Sequence, residues 1–352
     1  MDNNLNKPKM SKKKKGLIIV LVVLLVLLLL AIGGYFGAKH WVESKFFDSI
    51  SRTYENDLEI VPPENEDFET DDFNENYEAV DPENIDWGVA SDFNDEELIN
   101  ILLVGQDRRK GQGRQRSDTM ILCSINPETK EIALISFLRD LYVQYPGGYS
   151  NNRLNAAYVF GGFPLLDETI ENNFGITIDY NLEVDFNGFI EIFDYIGGVD
   201  VELTNAEAQY LSTWPGKKKD PSWGPFAEGK NHLDGEAALY YARIRKIDDD
   251  FGRTTRQRTV LTQAFKKIRG CSLNDLLTMT QTLLPYITTD MTNDDIWNLL
   301  FEIAPIMSSV KVESHSVPAG GDYSYANVSG MSVIIPNMNI IRDKMENEYL
   351  PY

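Results

Sequence analysis

Residues 17–32 are uninterrupted apolar side chains, and residues 33–38 continue without charge. At about 1.5 Å per residue, about 20 residues cross a hydrocarbon core of about 30 Å, so residues 16–38 read as one transmembrane helix. From residue 98 onward the apolar runs shorten and change period. Residues 99–104 form a continuous run that stops at Gly105. Residues 119–125 and 132–137 follow, split by the turn Asn126-Pro127-Glu128, and read as a hairpin with a longer loop. Residues 180–186 alternate strictly, with Tyr180, Leu182, Val184 and Phe186 on one face and Asn181, Glu183 and Asp185 on the other. Two further strands are expected at 199–203 and 310–317.

Helical signals fall between and after these strands. A short helix is expected at 94–97, where Asn94 stands three residues before Glu97. Pro164 suits the first turn of a helix over 165–173, and Gly197-Gly198 stops one over 189–195. Thr204 with Glu207 reads as a capping box, and Asp234 as the cap of the helix carrying Ala237 to Tyr241. Helices are also expected at 259–268, 276–285, 294–306 and, last, 333–346. Strands mixed with helices predict an α/β fold, a mixed central β-sheet flanked by helices on both faces.

Charge sets the topology. Residues 1–15 hold six Lys and one Asp, which keeps this end in the cytoplasm and places everything after Lys39 outside. A cleaved signal peptide is the alternative, but its apolar core is usually shorter and no small-x-small site follows at 36–38. The whole chain of 352 residues carries a net charge of −21, and residues 55–97 contribute 18 Asp and Glu with no Lys or Arg. Residues 39–97 therefore read as an acidic tether, and 98–352 as one extracellular domain. A tail of 15 residues is too short for a DNA-binding domain, so no nucleic-acid partner is expected. Two cysteines, Cys123 and Cys271, are too few for a disulfide framework, and three scattered histidines do not suggest a zinc site.

Against this acidic background one stretch is basic. Arg243, Arg245, Arg253 and Arg256 crowd together, followed by Gln257. Guanidinium groups stay charged and match phosphate oxygens with a planar fork of donors. The plainer alternative is a solvated face, or ion pairs with Asp248, Asp249 and Asp250. Further charges stand at strand ends, where α/β folds open into a crevice. Asp107 follows the first strand, Asp118 opens the second, and Arg139 closes the third; Arg153 lies after the loop at Gly147-Gly148. Asp107 and Asp118 together suit Mg²⁺ bridged to phosphate oxygens, or each forms a salt bridge with an arginine.

These pieces resemble the LytR-CpsA-Psr family of Gram-positive envelope proteins. The matching segments are NILLVGQD at 100–107, RSDTMILCSINP at 116–127, SFLRD at 136–140, NRLNAAYVFGG at 152–162 and VDFNGFIEIFDYIGGVDVEL at 184–203. GKNHLDGEAALYYARIR at 229–245 and DFGRTTRQ at 250–257 complete them. Gln106 stands where the family usually has Ser, and Leu138 where it usually has Pro.

The resemblance implies a membrane-bound phosphotransferase. It would move a glycopolymer, such as teichoic acid or capsular polysaccharide, from a polyprenyl pyrophosphate carrier onto peptidoglycan. Carried over by position, the metal-associated carboxylates are Asp107 and Asp118, with Mg²⁺ (or Mn²⁺) as cofactor. The pyrophosphate-binding arginines are Arg139, Arg243, Arg245 and Arg253, with Gln257 beside them and Arg153 matching less closely. Arg256, from the same cluster, joins them as a substrate-binding candidate. Asp118 or Asp107 is the candidate base. An isoprenoid needs an apolar groove, with Tyr158, Val159, Phe160, Phe189, Ile190, Ile192 and Phe193 as possible walls. The competing readings are a hydrolase acting on the same lipid and a non-enzymatic regulator or attenuator.

Overall fold

The computed structural model describes residues 51–52, 74–89, 97–106, 113–214, 217 and 223–352. The expected cytoplasmic tail and transmembrane helix, Asp107, and residues 94–96 of the expected short helix lie outside the described residues. No helix among the described residues is long and apolar enough to cross a membrane. The chain divides into Met1–Ser49 and Ile50–Tyr352, and every described residue belongs to the second unit.

The strands in chain order are β1 (Ser51–Arg52), β2 (Ile99–Gln106), β3 (Ser117–Asn126), β4 (Glu131–Phe137), β5 (Tyr142–Val143), β6 (Asn152–Arg153) and β7 (Tyr180–Asp185). They continue with β8 (Val199–Leu203), β9 (Gly229–Leu233), β10 (Thr288–Thr289), β11 (Lys311–Val317), β12 (Tyr323–Val328) and β13 (Met331–Pro336). The helices are α1 (Leu154–Phe174), α2 (Phe186–Tyr195), α3 (Asn205–Ser212), α4 (Gly235–Ala242), α5 (Asp250–Ile268), α6 (Leu273–Leu283), α7 (Asn293–Ile303) and α8 (Met338–Lys344). Seven strands form the main sheet in the order β1-β10-β7-β2-β3-β4-β11. The sheet is mixed, as expected: β2, β3 and β4 run antiparallel in turn, whereas β7 joins β2 and β11 joins β4 in parallel.

The two faces of the sheet do different work. Leu102, Val104, Met120, Leu122, Ile135 and Phe137 pack in one core with Leu154, Phe160, Leu166 and Ile170 of α1 and Ile341 of α8. Leu103 is in register with both Ile121 and Leu182, and these side chains share the opposite face. There α2, α4 and α5 stand off from the sheet around a cavity. The alternation of β7 is present, but its burial is inverted. Asn181 and Glu183 are buried, whereas Leu182 and Val184 are only half-buried because they front the cavity. Glu183 accepts a hydrogen bond from the Tyr158 hydroxyl, and Asn181 Nδ2 donates to Asp167 and Asp290, both at 2.7 Å.

Four expectations need correction. The helix expected from residue 165 begins at Leu154 and continues through Pro164, with a break where Gly162 takes φ 64°. The missing N–H of Pro164 interrupts the helix without ending it. The helix expected at 333–346 is instead β13 followed by α8; β13 pairs with β12 around a turn in which Ser329 and Gly330 both have positive φ. A short, β-branched run bounded by such a turn and by Pro336 has the pattern of a strand. The strand at 199–203 forms, but it pairs with β9 in a separate ladder rather than in the main sheet. Lastly, part of the acidic tether belongs to the folded unit. Val80 N donates to Asn327 O, Ile85 is buried, and Arg342 donates to the carbonyls of Trp87 and Val89. Cys123 and Cys271 are both free, and burial pushes the Cys123 thiol up to about 12.

Candidate active site: an arginine–carboxylate ladder at the mouth of an apolar cavity

Three separate stretches deliver the charged groups. Asp118 lies at the start of β3, and Arg139 in the turn after β4. The α4–α5 connection supplies Arg243 and Arg245. Helix α5 starts at Asp250, well before the expected 259, because Asp249 caps it by accepting from Gly252 N at 3.1 Å. The segment DFGRTTRQ is therefore helical. Arg253 and Gln257, four residues apart, share the face toward the cavity, whereas Arg256 turns away.

The side chains alternate in sign. Asp118 Oδ1 lies 3.0 Å from Arg245 Nη2 and 3.3 Å from Arg139 Nη1. Arg139 Nε lies 3.3 Å from Asp140 Oδ2 and 4.0 Å from Asp250 Oδ1, which is in turn 2.7 Å from Arg253 Nη2. The ladder runs Arg245–Asp118–Arg139–Asp250–Arg253. Arg243 sits over the Phe186 ring, 4.1 Å from its centroid, a cation–π contact.

Burial and charge pull these groups in opposite directions. Burial raises the pKa of Asp118, but Arg245, Arg139 and Arg253 together outweigh it and hold the carboxyl below its usual value. Asp250 ends above its ordinary value, because burial exceeds the pull of Arg253 and Arg139. Burial lowers Arg253 to about 10 despite Asp250. Arg253 is 1% exposed, and among the described residues its Nε and Nη1 have no hydrogen-bond partner. Its contact with Asp250 is an ion pair whose angles fall outside hydrogen-bond geometry.

Behind this mouth lies a cavity of about 390 Å³. Gln106, Asp118, Thr119, Arg243, Arg245, Arg253 and Gln257 rim it. Its walls are Leu103, Ile121, Leu182, Val184, Phe189, Ile192, Phe193, Trp214, Leu239, Leu261 and Ile287. Of the expected groove residues, Phe189, Ile192 and Phe193 are walls. Tyr158, Val159 and Phe160 belong to the opposite core, and Ile190 is not among the walls.

Three expected substrate-binding arginines do not line the cavity: Arg139, which reaches the mouth only through its contact with Asp118, and Arg256 and Arg153, which lie elsewhere. Arg256 is buried, with Asp248 at 2.6 and 2.7 Å, Glu207 at 3.4 Å and the Ile244 carbonyl at 2.7 Å; it ties α3 to the α4–α5 connection. Arg153 donates to Ser332 O at 2.6 Å and lies 3.8 Å from Asp140, behind the ladder. Asp250 entered the sequence reading only as one acid of the run beside the arginines, and Asp140 only as the neighbour of Arg139. The i, i+3 spacing of Asp250 and Arg253 was the available signal. Phe186 under Arg243 had none, since the two are remote in sequence.

The profile of the LytR_cpsA_psr family matches residues 64–347. The chain belongs to the LytR_cpsA_psr family. One relative is the polyisoprenyl-teichoic acid–peptidoglycan teichoic acid transferase TagU of Bacillus mycoides, 33% identical over 208 residues. That match covers 58% of this chain and 64% of the relative, so the chain spans slightly less than two thirds of that protein's length. TagU of Enterococcus faecalis is 31% identical over 266 residues, covering 72% of this chain and 81% of the relative. Among solved structures, TagT bound to LIIa-WTA superposes with a TM-score of 0.58 at 25% identity, covering 75% of this chain and 98% of TagT. The family fold is thus the mixed sheet described above, and the apolar cavity lies within the matched region.

Proposed function

We propose that this family member is a membrane-anchored phosphotransferase that moves a glycopolymer from a polyprenyl pyrophosphate carrier to peptidoglycan. The transferase activity named for the TagU relatives supports this reading, but the deciding observation is Arg253. It is a charged guanidinium, fully buried at the junction of a polar mouth and an apolar cavity, and among the described residues its Nε and Nη1 meet no hydrogen-bond acceptor. A diphosphate carrying an isoprenoid satisfies both halves of that junction at once. Phosphate oxygens take the donors, and the hydrocarbon chain takes the walls.

Phosphoryl transfer asks a protein mainly to position groups and stabilise charge. Arg243, Arg245 and Arg253 hold the two phosphates, with Arg139 behind them and Gln257 donating alongside. The acceptor hydroxyl oxygen bonds to the polymer-side phosphorus, and the bond from that phosphorus to the bridging oxygen breaks. Polyprenyl phosphate leaves through the cavity, and the acceptor's proton passes to the departing phosphate oxygen. The depressed pKa of Asp118 suits a carboxylate that holds charge better than one that takes up this proton. Asp118 is an ionised oxygen donor at the mouth with a 31% exposed side chain, which fits Mg²⁺ or Mn²⁺. Asp107, which follows Gln106, would supply the second carboxylate. When bound, the cation neutralises charge on the phosphate oxygens. The lysine-rich N-terminus and the apolar run after it support the reading of a single-pass chain with a cytoplasmic N-terminus and this chemistry outside the cell.

Purified full-length chain in lipid nanodiscs, given a lipid-linked glycopolymer and peptidoglycan, is expected to yield polymer joined to peptidoglycan by a phosphodiester. Polymer released equally well without peptidoglycan would identify a hydrolase and overturn the proposal.

A further inference from the structure

A second depression lies on the other side of the α4–α5 connection. It measures about 540 Å³ and is open to solvent between α3 and the segment leading into β9. Its walls include Asn205, Gln209, Tyr210, Phe226, Glu228 and Ile247. The connection that carries Arg243 and Arg245 at the apolar cavity thus contributes Ile247 to this cleft. Ile247 is two residues from Arg245, so their Cα atoms are separated by at most about 7 Å. Arg256 fixes the geometry by binding Glu207 on α3 and Asp248 on the connection.

The lining has a definite chemistry. Tyr210 and Phe226 are half-buried rings held edge-on by Trp214 and Trp223, at centroid distances of 5.4 and 5.2 Å. Trp223 is itself anchored by donating to Leu211 O at 2.7 Å. Gln209 Nε2 donates to Asn205 Oδ1 at 2.8 Å, which orients both amides. Fixed aromatic faces beside amides and a carboxylate suit a sugar ring, whose C–H face packs on the ring and whose hydroxyls hydrogen-bond at the edge. Among the described residues the walls carry the charge of Glu228 and no lysine or arginine. Lys217 lies over the Trp223 ring and pairs with Glu236, so the described walls themselves offer ring faces and amides, which suit an uncharged glycan strand.

We infer that this cleft binds the acceptor glycan strand, the uncharged saccharide backbone whose hydroxyl receives the phosphoryl group. The inference rests on the transferase reading and extends it to the acceptor side. Lipid and diphosphate lie on one side of the α4–α5 connection, and the strand lies on the other.

The test uses full-length chain in nanodiscs and a β-1,4-linked N-acetylhexosamine tetrasaccharide as probe. Ligand-observed NMR is expected to show saturation transfer to the probe, lost in Gln209→Ala and Glu228→Gln and retained in the double variant Arg253→Met, Asp250→Asn. In transfer assays the same two cleft variants are expected to raise the KM for glycan acceptor about fivefold, the effect of about one hydrogen bond, with donor KM and kcat unchanged. Both substitutions lie on exposed positions, and an unchanged melting temperature confirms the fold. Unchanged acceptor KM in both variants overturns the cleft assignment while leaving the transferase reading intact. Cleft-dependent probe binding without any transfer by the parent chain overturns the transferase reading instead. Binding of a soluble poly(glycerol phosphate) in the cleft, in preference to the tetrasaccharide, assigns it to the donor polymer and also overturns the inference.

Discussion

Arg253 separates stability from function, and replacing it tests the site directly. Burial brings its pKa down to about 10. At about 1.4 kcal/mol per pH unit, this amounts to about 3 kcal/mol held against the folded state by the charged guanidinium. The sign follows from the direction: a depressed pKa on a cation means the fold disfavours the charged form, at every pH below about 10. Asp250 offsets part of this, and removing Arg253 alone would strand that carboxylate, so the informative variant is Arg253→Met with Asp250→Asn. Replacing a buried ion pair by uncharged groups is neutral or stabilising by about 1–4 kcal/mol. For a domain of this size that is an unchanged melting temperature or a rise of several degrees, at about 2–4 °C per kcal/mol. Transfer, in contrast, is expected to fall about 10³-fold, the scale of a lost arginine in phosphoryl transfer. Differential scanning fluorimetry of the ligand-free protein and a single-turnover assay read the two halves. A melting temperature lowered by about 5 °C or more, given that a stabilising or neutral change is expected, would show that Arg253 is held for the fold and refute the reasoning.

Arg256→Met should behave oppositely. It leaves Asp248 and Glu207 without their guanidinium and is expected to cost about 3 kcal/mol in urea unfolding. Val184→Trp intrudes on the apolar cavity and should lower kcat/KM for a long-chain donor about tenfold, sparing a donor of two isoprene units, because only the longer chain needs the occupied volume. Asp167 is pushed up to about 8 by burial, with Asp290 and Glu171 adding to the effect against the hydrogen bond from Asn181. The stability it contributes is therefore complete below the ordinary carboxylate range and lost as pH rises through about 8. Melting temperature should decline across that window, and Asp167→Asn should flatten the decline.

The main strands were legible because each is a short apolar run with a turn signal at its end, as at Gly105 and at Asn126-Pro127. Asp118 and Arg139 were legible as charges at strand ends, whereas their meeting with Arg245 and Arg253, which lie on a connection and a helix, was implied only by the family resemblance. What escaped had physical reasons. The period of 2 in β7 was plain, but it does not say which face is buried. An apolar face that borders an unfilled cavity looks the same in sequence as one in a packed core. Arg253 and Arg256 are three residues apart on one helix, and only the start of α5 at Asp250 decides which of them faces the cavity. The β12–β13 hairpin was missed because a run of Val and Ile next to a helix cap at Asn337 supports either assignment.

The alternation of charge in the ladder has a consequence for selectivity. Arg139, Arg245 and Arg253 each already lean on a carboxylate, so these three present little bare positive potential in the resting site. In the extracellular setting proposed above, phosphate polymers would foul a naked arginine cluster. Here a stray monoester or sulfate must compete with Asp118 and Asp250 and brings nothing to offset the contest. On the proposed function, a headgroup that also delivers a greasy tail into the adjoining cavity gains enough to part the pairs, so the resident aspartates would act as a filter against tail-less phosphates.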